Sequence, residues 1–187
     1  MKLLLKLKHW QLFSLTWKVP ILITVFTIND VELSLKLFPL MMLFFAVGTF
    51  VWIWAIGTEL QKEVPPGVQL KSTKFKILFI MPIVYFAFVL VGLSTPLFRS
   101  FAGTGSTLSV FEIAFIFIQL FSMLCILYGI RFAAKTIKTI EMGRKAKFGD
   151  YAGEFFLIWF SILGYWFLQP RLNKLVERIS TTPNKNL

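Results

Sequence analysis

Glu112 and Gln119 are the side chains of this sequence that could most readily do chemistry. They stand seven residues apart in an apolar stretch, so a helix would present both on one face, with Ser109 and Ser122 close to the same stripe. An ionisable group in an apolar helix is costly, and one interpretation makes this face a polar path or a headgroup site. The structural alternative, which we favour, makes Glu112 a complement to the helix dipole or an ion-pair partner and Gln119 an interhelical hydrogen-bonding group.

Lys18 is another charge that falls inside an apolar segment. A charge at the centre of a bilayer costs about 2.5 to 3.5 kcal/mol, whereas each surrounding Leu, Ile, Val or Phe contributes about 0.3 to 0.6 kcal/mol of insertion free energy. Several such residues can therefore outweigh Lys18, and either Lys18 or Arg99 is a candidate partner for Glu112. The alternative for this segment is an interfacial helix that ends near Lys18.

Other residue types that carry catalysis or bind metals are scarce. The chain has one His, His9, and one Cys, Cys125, and no two of its nine acidic residues are expected to sit together in a pocket. No Ser or Thr has a neighbouring base, and the Gly-Thr-Gly-Ser run at 103–106 lacks the Lys and the spacing of a phosphate-binding loop. We therefore predict no catalytic, metal or cofactor site and expect that the protein is not an enzyme.

Five apolar stretches must position these side chains. The chain of 187 residues is 57% hydrophobic and 16% charged, against about 45–50% and about 25% in soluble domains, and its mean hydropathy is +0.73. This composition predicts a single all-α integral membrane domain over residues 1–187, a bundle of four transmembrane helices followed by a short aromatic segment. Spans are expected at about 10–28, 37–57 (with Pro39 in its first turn), 77–94 and 108–130, a cytoplasmic basic helix at 131–147, the aromatic segment at 155–169 and a polar tail at 171–187.

The fifth stretch is expected not to cross the membrane. At about 1.5 Å per residue, 155–169 reaches about 22 Å, short of a hydrocarbon core of about 30 Å, and Pro170 is expected to end it. With four crossings, every Lys and Arg lies on one side except Lys18, Lys36 and Arg99. The positive-inside rule therefore favours an inner-membrane protein with both termini in the cytoplasm and a re-entrant or interfacial fifth element. Five crossings are the alternative.

The basic residues point to lipid rather than to nucleic acid. A net charge of +11 could indicate a nucleic-acid partner in a soluble protein, but here the basic residues flank apolar spans. We predict no nucleic-acid partner and expect anchoring at anionic lipid headgroups, with docking to a partner protein or a specific lipid as the alternative. The candidate contacts are Arg131, Lys135, Lys138, Arg144, Lys145, Arg171 and Lys174.

Four sequence runs carry a resemblance to a known family. They are HWQLF at 9–13, FAAKTIKTIE at 132–141, FGDYAGEFFLIWF at 148–160, and the residues Gln169, Pro170, Arg171 and Asn173. Together they resemble a family of small polytopic inner-membrane proteins of Bacteroidetes-type bacteria, over most of the chain. The resemblance implies an inner-membrane location and supplies no activity. Where a Pro-Ile-Gly break is expected in the last aromatic segment, this chain has Ile162, Leu163 and Gly164.

Two classes of function fit these observations. The first, which we favour, is a non-catalytic membrane scaffold or accessory subunit that packs against a membrane protein partner or against copies of itself. The second is an oligomeric transporter or pore, in which several copies surround a path lined by Glu112, Gln119 and neighbouring Ser residues. A pore requires a continuous polar stripe, and the second and third spans supply little beyond Thr49 and Tyr85.

Overall fold

The residues that the structure describes fold mainly into helices. The computed structural model describes residues 5, 7–64, 67–94 and 110–181, and within these ranges no strand occurs. The fold class is therefore all-α, as the composition predicts. The helices are α1 (His9–Phe13), a π-helical turn (Ser14–Lys18), α2 (Val19–Thr27), α3 (Val31–Glu59) continued by a 3₁₀ segment (Leu60–Glu63), α4 (Ser72–Ser94), α5 (Val110–Met142), α6 (Phe148–Trp159) and α7 (Ser161–Thr181).

The first predicted span is a helical run interrupted by the π-helical turn. Lys18 is the last residue of this turn, which is wider than a turn of an α-helix. Pro20 lies within the first two positions of α2. The Asp30 carboxylate accepts a hydrogen bond from the backbone N–H of Leu33 (2.9 Å) and caps α3. Helices α2 and α3, joined by this short turn, pack against each other as a hairpin.

Helix α3 begins six residues earlier than the span expected at 37–57, because Asp30 caps it and Glu32 lies in its first turn. Pro39 consequently lies in the interior of the helix, and its expected place in the first turn is wrong. An interior proline leaves the carbonyl of Leu35, four residues earlier, without its helical N–H donor. Such a loss is tolerated more readily in a long apolar helix that is supported by neighbouring helices.

Helix α5 joins the fourth predicted span to the basic stretch after it. It runs without interruption through residues 131–142 and ends before Gly143, whose φ of +64° places it in the left-handed region that favours glycine. The basic helix expected at 131–147 as a continuation of the fourth span is thus the last part of α5, and it ends at Met142, earlier than expected.

The aromatic stretch at 155–169 is divided between two helices. The chain leaves helical geometry at Phe160 (φ −88°, ψ 71°), where α6 ends and α7 begins. Helix α7 then continues through Pro170 to Thr181, so the prediction that Pro170 ends the helix is wrong, and the expected polar tail is helical up to Thr181. Tertiary contacts explain the continuation, since Leu168, Gln169 and Leu172 on either side of the proline are all fully buried.

The buried core lies at one end of the bundle. There the end of α3, the start of α4 and the second half of α5 meet α6 and α7. Phe75 stacks on Phe132 with ring centroids 4.6 Å apart, and Trp52 packs edge-on against Tyr165 at 4.8 Å. Tight packing at this end fixes the relative positions of the helices that carry the polar groups described below.

The other end of the bundle exposes apolar side chains over a wide area. Phe26 is 82% exposed, and Val91 on α4 and Phe117 on α5 are more than 60% exposed. Apolar surface of this extent is typical of a membrane-facing protein. Three helices are long and apolar enough to cross a bilayer: Val31–Glu63, Ser72–Gly92 and Glu112–Met142.

Candidate functional site

Four charged side chains meet where the last turns of α5 lie against the middle of α6 and of α7. The Arg171 Nη2 atom of α7 donates to both carboxylate oxygens of Glu141 on α5 (2.7 and 2.8 Å) and to Glu154 Oε1 on α6 (3.0 Å). Lys138 Nζ lies 3.3 Å from Glu154 and 3.4 Å from Glu141. We call Lys138, Glu141, Glu154 and Arg171 the ion-pair cluster. Its two positive and two negative charges balance.

Burial makes the ion-pair cluster more than a set of surface contacts. The Glu154 side chain is only 7% exposed, whereas that of Arg171 is 41% exposed. Burial of the guanidinium lowers the pKa of Arg171, but its hydrogen bonds and charge interactions with Glu141 and Glu154 outweigh that effect and raise the pKa above its ordinary value. Both carboxylates are committed to these contacts, so the cluster is suited to holding three helices together rather than to proton transfer.

A second polar group ties the N-terminal segment to the bundle. The Gln169 side chain is fully buried; its Oε1 accepts from Trp52 Nε1 (2.9 Å), and its Nε2 donates to the Leu7 carbonyl (2.9 Å) and the Leu5 carbonyl (3.3 Å). Asn173, one turn further on α7, also donates to the Leu7 carbonyl (3.3 Å). We call Trp52, Gln169 and Asn173 the amide clamp. It satisfies buried polar groups from α3, α7 and the start of the chain in one place.

Two further hydrogen bonds join α5 to its neighbours at this end. The Thr136 hydroxyl shares its proton between the Phe132 carbonyl of its own helix (2.9 Å) and Gln61 Oε1 (3.2 Å). The Gln61 amide donates to the Leu70 carbonyl (3.2 Å), which holds the connection between α3 and α4 against α5. Arg131 Nε donates to the Tyr151 hydroxyl on α6 (3.0 Å). Most of these hydrogen bonds therefore lie at the end of the bundle that contains the buried core, which we call the closed end; the opposite end, with its exposed apolar side chains, is the open end.

The polar face expected on the fourth span is only partly assembled. The Tyr85 hydroxyl of α4 donates a hydrogen bond to Gln119 Oε1 of α5, so Gln119 does join two helices. Glu112 is half-buried near the start of α5, Ser122 is buried, and Ser109 lies outside the described residues. Lys18 is exposed on a run that packs against α3, and within the described part of the chain it forms no ion pair.

The predicted headgroup contacts fall into two groups. Four of them are engaged with protein groups: Arg131 with Tyr151, Lys138 and Arg171 in the ion-pair cluster, and Arg144 with Asp150 at 3.3 Å. Lys145 and Lys174 are exposed, and Lys135 is half-buried. The second group is the one available to an external anion.

The acidic half of the ion-pair cluster, Glu141 and Glu154, was not predicted from the sequence. Tyr151, Glu154 and Ile158 are all buried and recur at helical spacing along α6, so the apolar periodicity of that helix contains a signal that Glu154 faces inward. No comparable local signal exists for Glu141, because its partner Arg171 is 30 residues away. Gln169 likewise makes contacts more than 100 residues away along the chain.

The described residues offer no group of three or more His, Cys, Asp or Glu side chains that could hold a metal ion. The His9 ring instead packs against Trp166 with centroids 4.8 Å apart, and Cys125 is buried within α5. The side chains that sequence reasoning would test first for metal binding are thus used in packing.

Comparisons with known proteins add no family to this description. No protein-family model matches the chain, and no curated protein and no solved structure matches it either. The family resemblance and the inner-membrane location that it implies therefore remain predictions.

Proposed function

We propose that this protein is a non-catalytic scaffold or accessory subunit of a membrane, which packs against a membrane protein partner or against copies of itself. The observation that carries the proposal is the contrast between the two ends of the bundle. At one end, the ion-pair cluster and the amide clamp hold α3, α5, α6, α7 and the N-terminal segment together; at the other, broad apolar faces of α3, α4 and α5 stay exposed. Such a molecule can present a fixed helical surface to another helix within the bilayer.

The proposed topology has four crossings with both termini in the cytoplasm. The three candidate spans support it, and the run from His9 to Thr27 would supply the fourth crossing through its hairpin with α3. In this arrangement the ion-pair cluster lies on the cytoplasmic side, where the positive-inside rule places basic residues. The break at Phe160 supports a hairpin of α6 and α7 that enters the bilayer from that side without crossing it.

The mass of the protein in a membrane mimetic tests the scaffold proposal. The full-length protein is extracted in a mild detergent, reconstituted in lipid nanodiscs and weighed by light scattering. We expect a homo-oligomer or a defined complex with a co-purifying membrane protein. A protein that remains monomeric and alone across several extraction conditions would contradict the scaffold role.

A second candidate function, an oligomeric transporter or pore, is supported by the position of Gln119. This amide is exposed on α5 apart from its bond with Tyr85, so a second copy could face it. The test is ion flux into proteoliposomes with the unchanged protein and with Glu112→Ala. Flux that falls in the variant would favour the pore over the scaffold; absence of flux, or flux indifferent to the substitution, would count against it.

A further inference from the structure

Helix α5 carries an amide side chain deep within its apolar part. Gln119 is the only Asn or Gln between Glu112 and Arg131, which are the nearest charged residues on either side of it in the chain. At about 1.5 Å per residue, Gln119 lies about 10 Å from the first and about 18 Å from the second, so a crossing of about 30 Å keeps it well inside the hydrocarbon. Since no water is available there, the hydrogen bonds of this amide must come from protein groups.

Tyr85 satisfies only part of this amide. The Tyr85 hydroxyl donates to Gln119 Oε1, which leaves the oxygen a second lone pair and the Nε2 atom two N–H donors. Among the described residues no group accepts a hydrogen bond from Nε2, and the Gln119 side chain is exposed. Polar groups left bare in hydrocarbon are costly, so a partner that brings both a donor and an acceptor to this depth is favoured.

We propose that Gln119 joins α5 to the α5 of a second copy of this chain in a symmetric dimer. The inference rests on the proposed scaffold role and names its partner. Every copy inserted with the same topology carries Gln119 at the same depth, so a two-fold axis along the membrane normal brings two Gln119 side chains face to face. The amide is self-complementary, because each Nε2 can donate to the Oε1 of the other copy. A lipid acyl chain offers no such group, and a different protein would need a polar side chain at the matching depth.

Exposed apolar side chains flank the amide and its tyrosine partner. On α5, Ile116 and Met123 lie one turn before and one turn after Gln119, and each is 46% exposed. On α4, Met81 and Phe88 flank the tyrosine in the same way, and both are more than 50% exposed. Packing of such side chains between two copies adds van der Waals contact to the hydrogen bonds of the paired amides.

Energy transfer in lipid vesicles tests the dimer on the full-length protein. Cys125 is changed to Ser, Asn186→Cys carries a donor or an acceptor dye, and the two labelled populations are mixed in vesicles at decreasing ratios of protein to lipid. We expect transfer that rises linearly with the acceptor fraction, as it does for a dimer. Gln119→Leu should require about tenfold more protein per lipid to reach half association, since interhelical hydrogen bonds in membranes are individually modest.

Two results of this experiment would overturn the proposal outright. The first is an absence of transfer in the unchanged protein, and the second is a Gln119→Leu variant that associates within about twofold of it. A curved dependence of transfer on the acceptor fraction would overturn the dimer in favour of a larger ring of copies. Circular dichroism of each variant verifies that loss of association does not come from loss of the helical fold.

Tyr85→Phe is the matched control for Gln119→Leu. It removes the same hydrogen bond between α4 and α5 but leaves the amide in place, so it should not weaken dimerisation. A loss equal to that of Gln119→Leu would show that the dimer depends on the fit of α4 against α5 and not on the amide. That result would overturn the proposal.

Oxidative cross-linking of single cysteines in vesicles locates the face of α5 that meets the second copy. In the Cys125→Ser background, Met123→Cys lies on the same face as Gln119, whereas Phe121→Cys lies at nearly the same depth but about 200° around the helix from it. Met123 and Phe121 are similarly exposed, at 46% and 48%. We expect a disulfide-linked dimer from Met123→Cys and little from Phe121→Cys. Equal cross-linking, or a preference for position 121, would overturn the proposed face.

The outcome is separable from that of the scaffold proposal. An oligomer that persists in Gln119→Leu keeps the scaffold role and overturns this contact. A protein that is monomeric in vesicles but co-purifies with a defined membrane protein also keeps the scaffold role and overturns the dimer. Only a protein that is both monomeric and alone overturns the two together.

Discussion

At the scale of single residues, glycines allow the closest helix contacts in the core. A Cβ atom on Gly57 of α3 would lie 2.5 Å from Phe75 Cζ, and one on Gly129 of α5 would collide with the Phe79 ring. Both aromatic rings are fully buried, so neither can move aside without repacking. These glycines therefore bring α3, α4 and α5 together, a role typical of small residues between membrane helices.

We expect Gly57→Ala to lower the free energy of unfolding by about 1 to 3 kcal/mol, because the added methyl group overpacks the core. The matched control is Gly153→Ala in α6, where a Cβ meets nothing within 4 Å. This change should be neutral or stabilising by up to about 1 kcal/mol, since alanine is the better helix former. Unfolding in mixed micelles measures both values. Equal effects of the two substitutions would show that Gly57 does not carry a close contact.

At the scale of elements, α6 is held by one acidic residue in its first turn, Asp150, and by another in its middle, Glu154. At its start, the backbone N–H of Lys147 donates to Asp150 Oδ2 (2.9 Å), and Arg144 lies 3.3 Å from the same oxygen. The N–H bond from Lys147 and the charge of Arg144 lower the pKa of Asp150 below its ordinary value of 3.8. Further along, Glu154 fastens α6 to α5 and α7 through the ion-pair cluster.

The lowered pKa of Asp150 predicts a pH dependence with a definite sign. Because the folded state favours the charged carboxylate, its contribution to stability is complete above pH 3.8 and is lost as the pH falls through the lower folded value. Asp150→Asn keeps an oxygen for the Lys147 N–H but has no charge. We expect the thermal midpoint of the unchanged protein to exceed that of the variant near neutral pH and to converge with it in acid. A difference that stays constant with pH would contradict this.

The ion-pair cluster predicts that Arg171 contributes more to the stability of the protein than Lys174, another basic residue of α7. Arg171→Met should destabilise the protein by about 1 to 3 kcal/mol, because it leaves the buried Glu154 carboxylate with Lys138 alone; the exposure of Arg171 keeps the cost below that of a fully buried pair. Lys174→Met should change stability by less than about 0.5 kcal/mol. Chemical unfolding compares the two. A double-mutant cycle of Arg171→Met with Glu154→Gln should show coupling, and its absence would contradict the proposed role.

At the scale of the whole molecule, the two ends of the bundle differ in what they bury and what they expose. The closed end buries aromatic side chains and satisfies polar groups from distant parts of the chain, as Gln169 does for Trp52 and Leu7. The open end exposes apolar faces that only a bilayer or another apolar helix can cover. The proposed orientation places the closed end at the cytoplasmic surface.

Cysteine labelling tests that orientation. Cys125 is first changed to Ser, and single cysteines are then placed as Asn186→Cys in the tail and Ser106→Cys in the connection between α4 and α5. We expect a membrane-impermeant maleimide to label intact cells at position 106 and to label position 186 only after permeabilisation, because four crossings put these positions on opposite sides. Labelling of position 186 in intact cells would favour five crossings.

The amino-acid sequence by itself determined the class of the protein and the order of its apolar helices. Charge-free stretches specify such helices locally, because each residue must be apolar wherever the bilayer or the core surrounds it. Tertiary structure decided which polar groups meet and how far α7 continues. The burial of Gln169 and Leu172 carried α7 through Pro170. The early start of α3, in contrast, comes from the local cap by Asp30, a signal that the sequence itself contains. The pairing of Arg171 with Glu141 and Glu154 depends on three helices converging, and no local pattern encodes a contact made between distant parts of the chain.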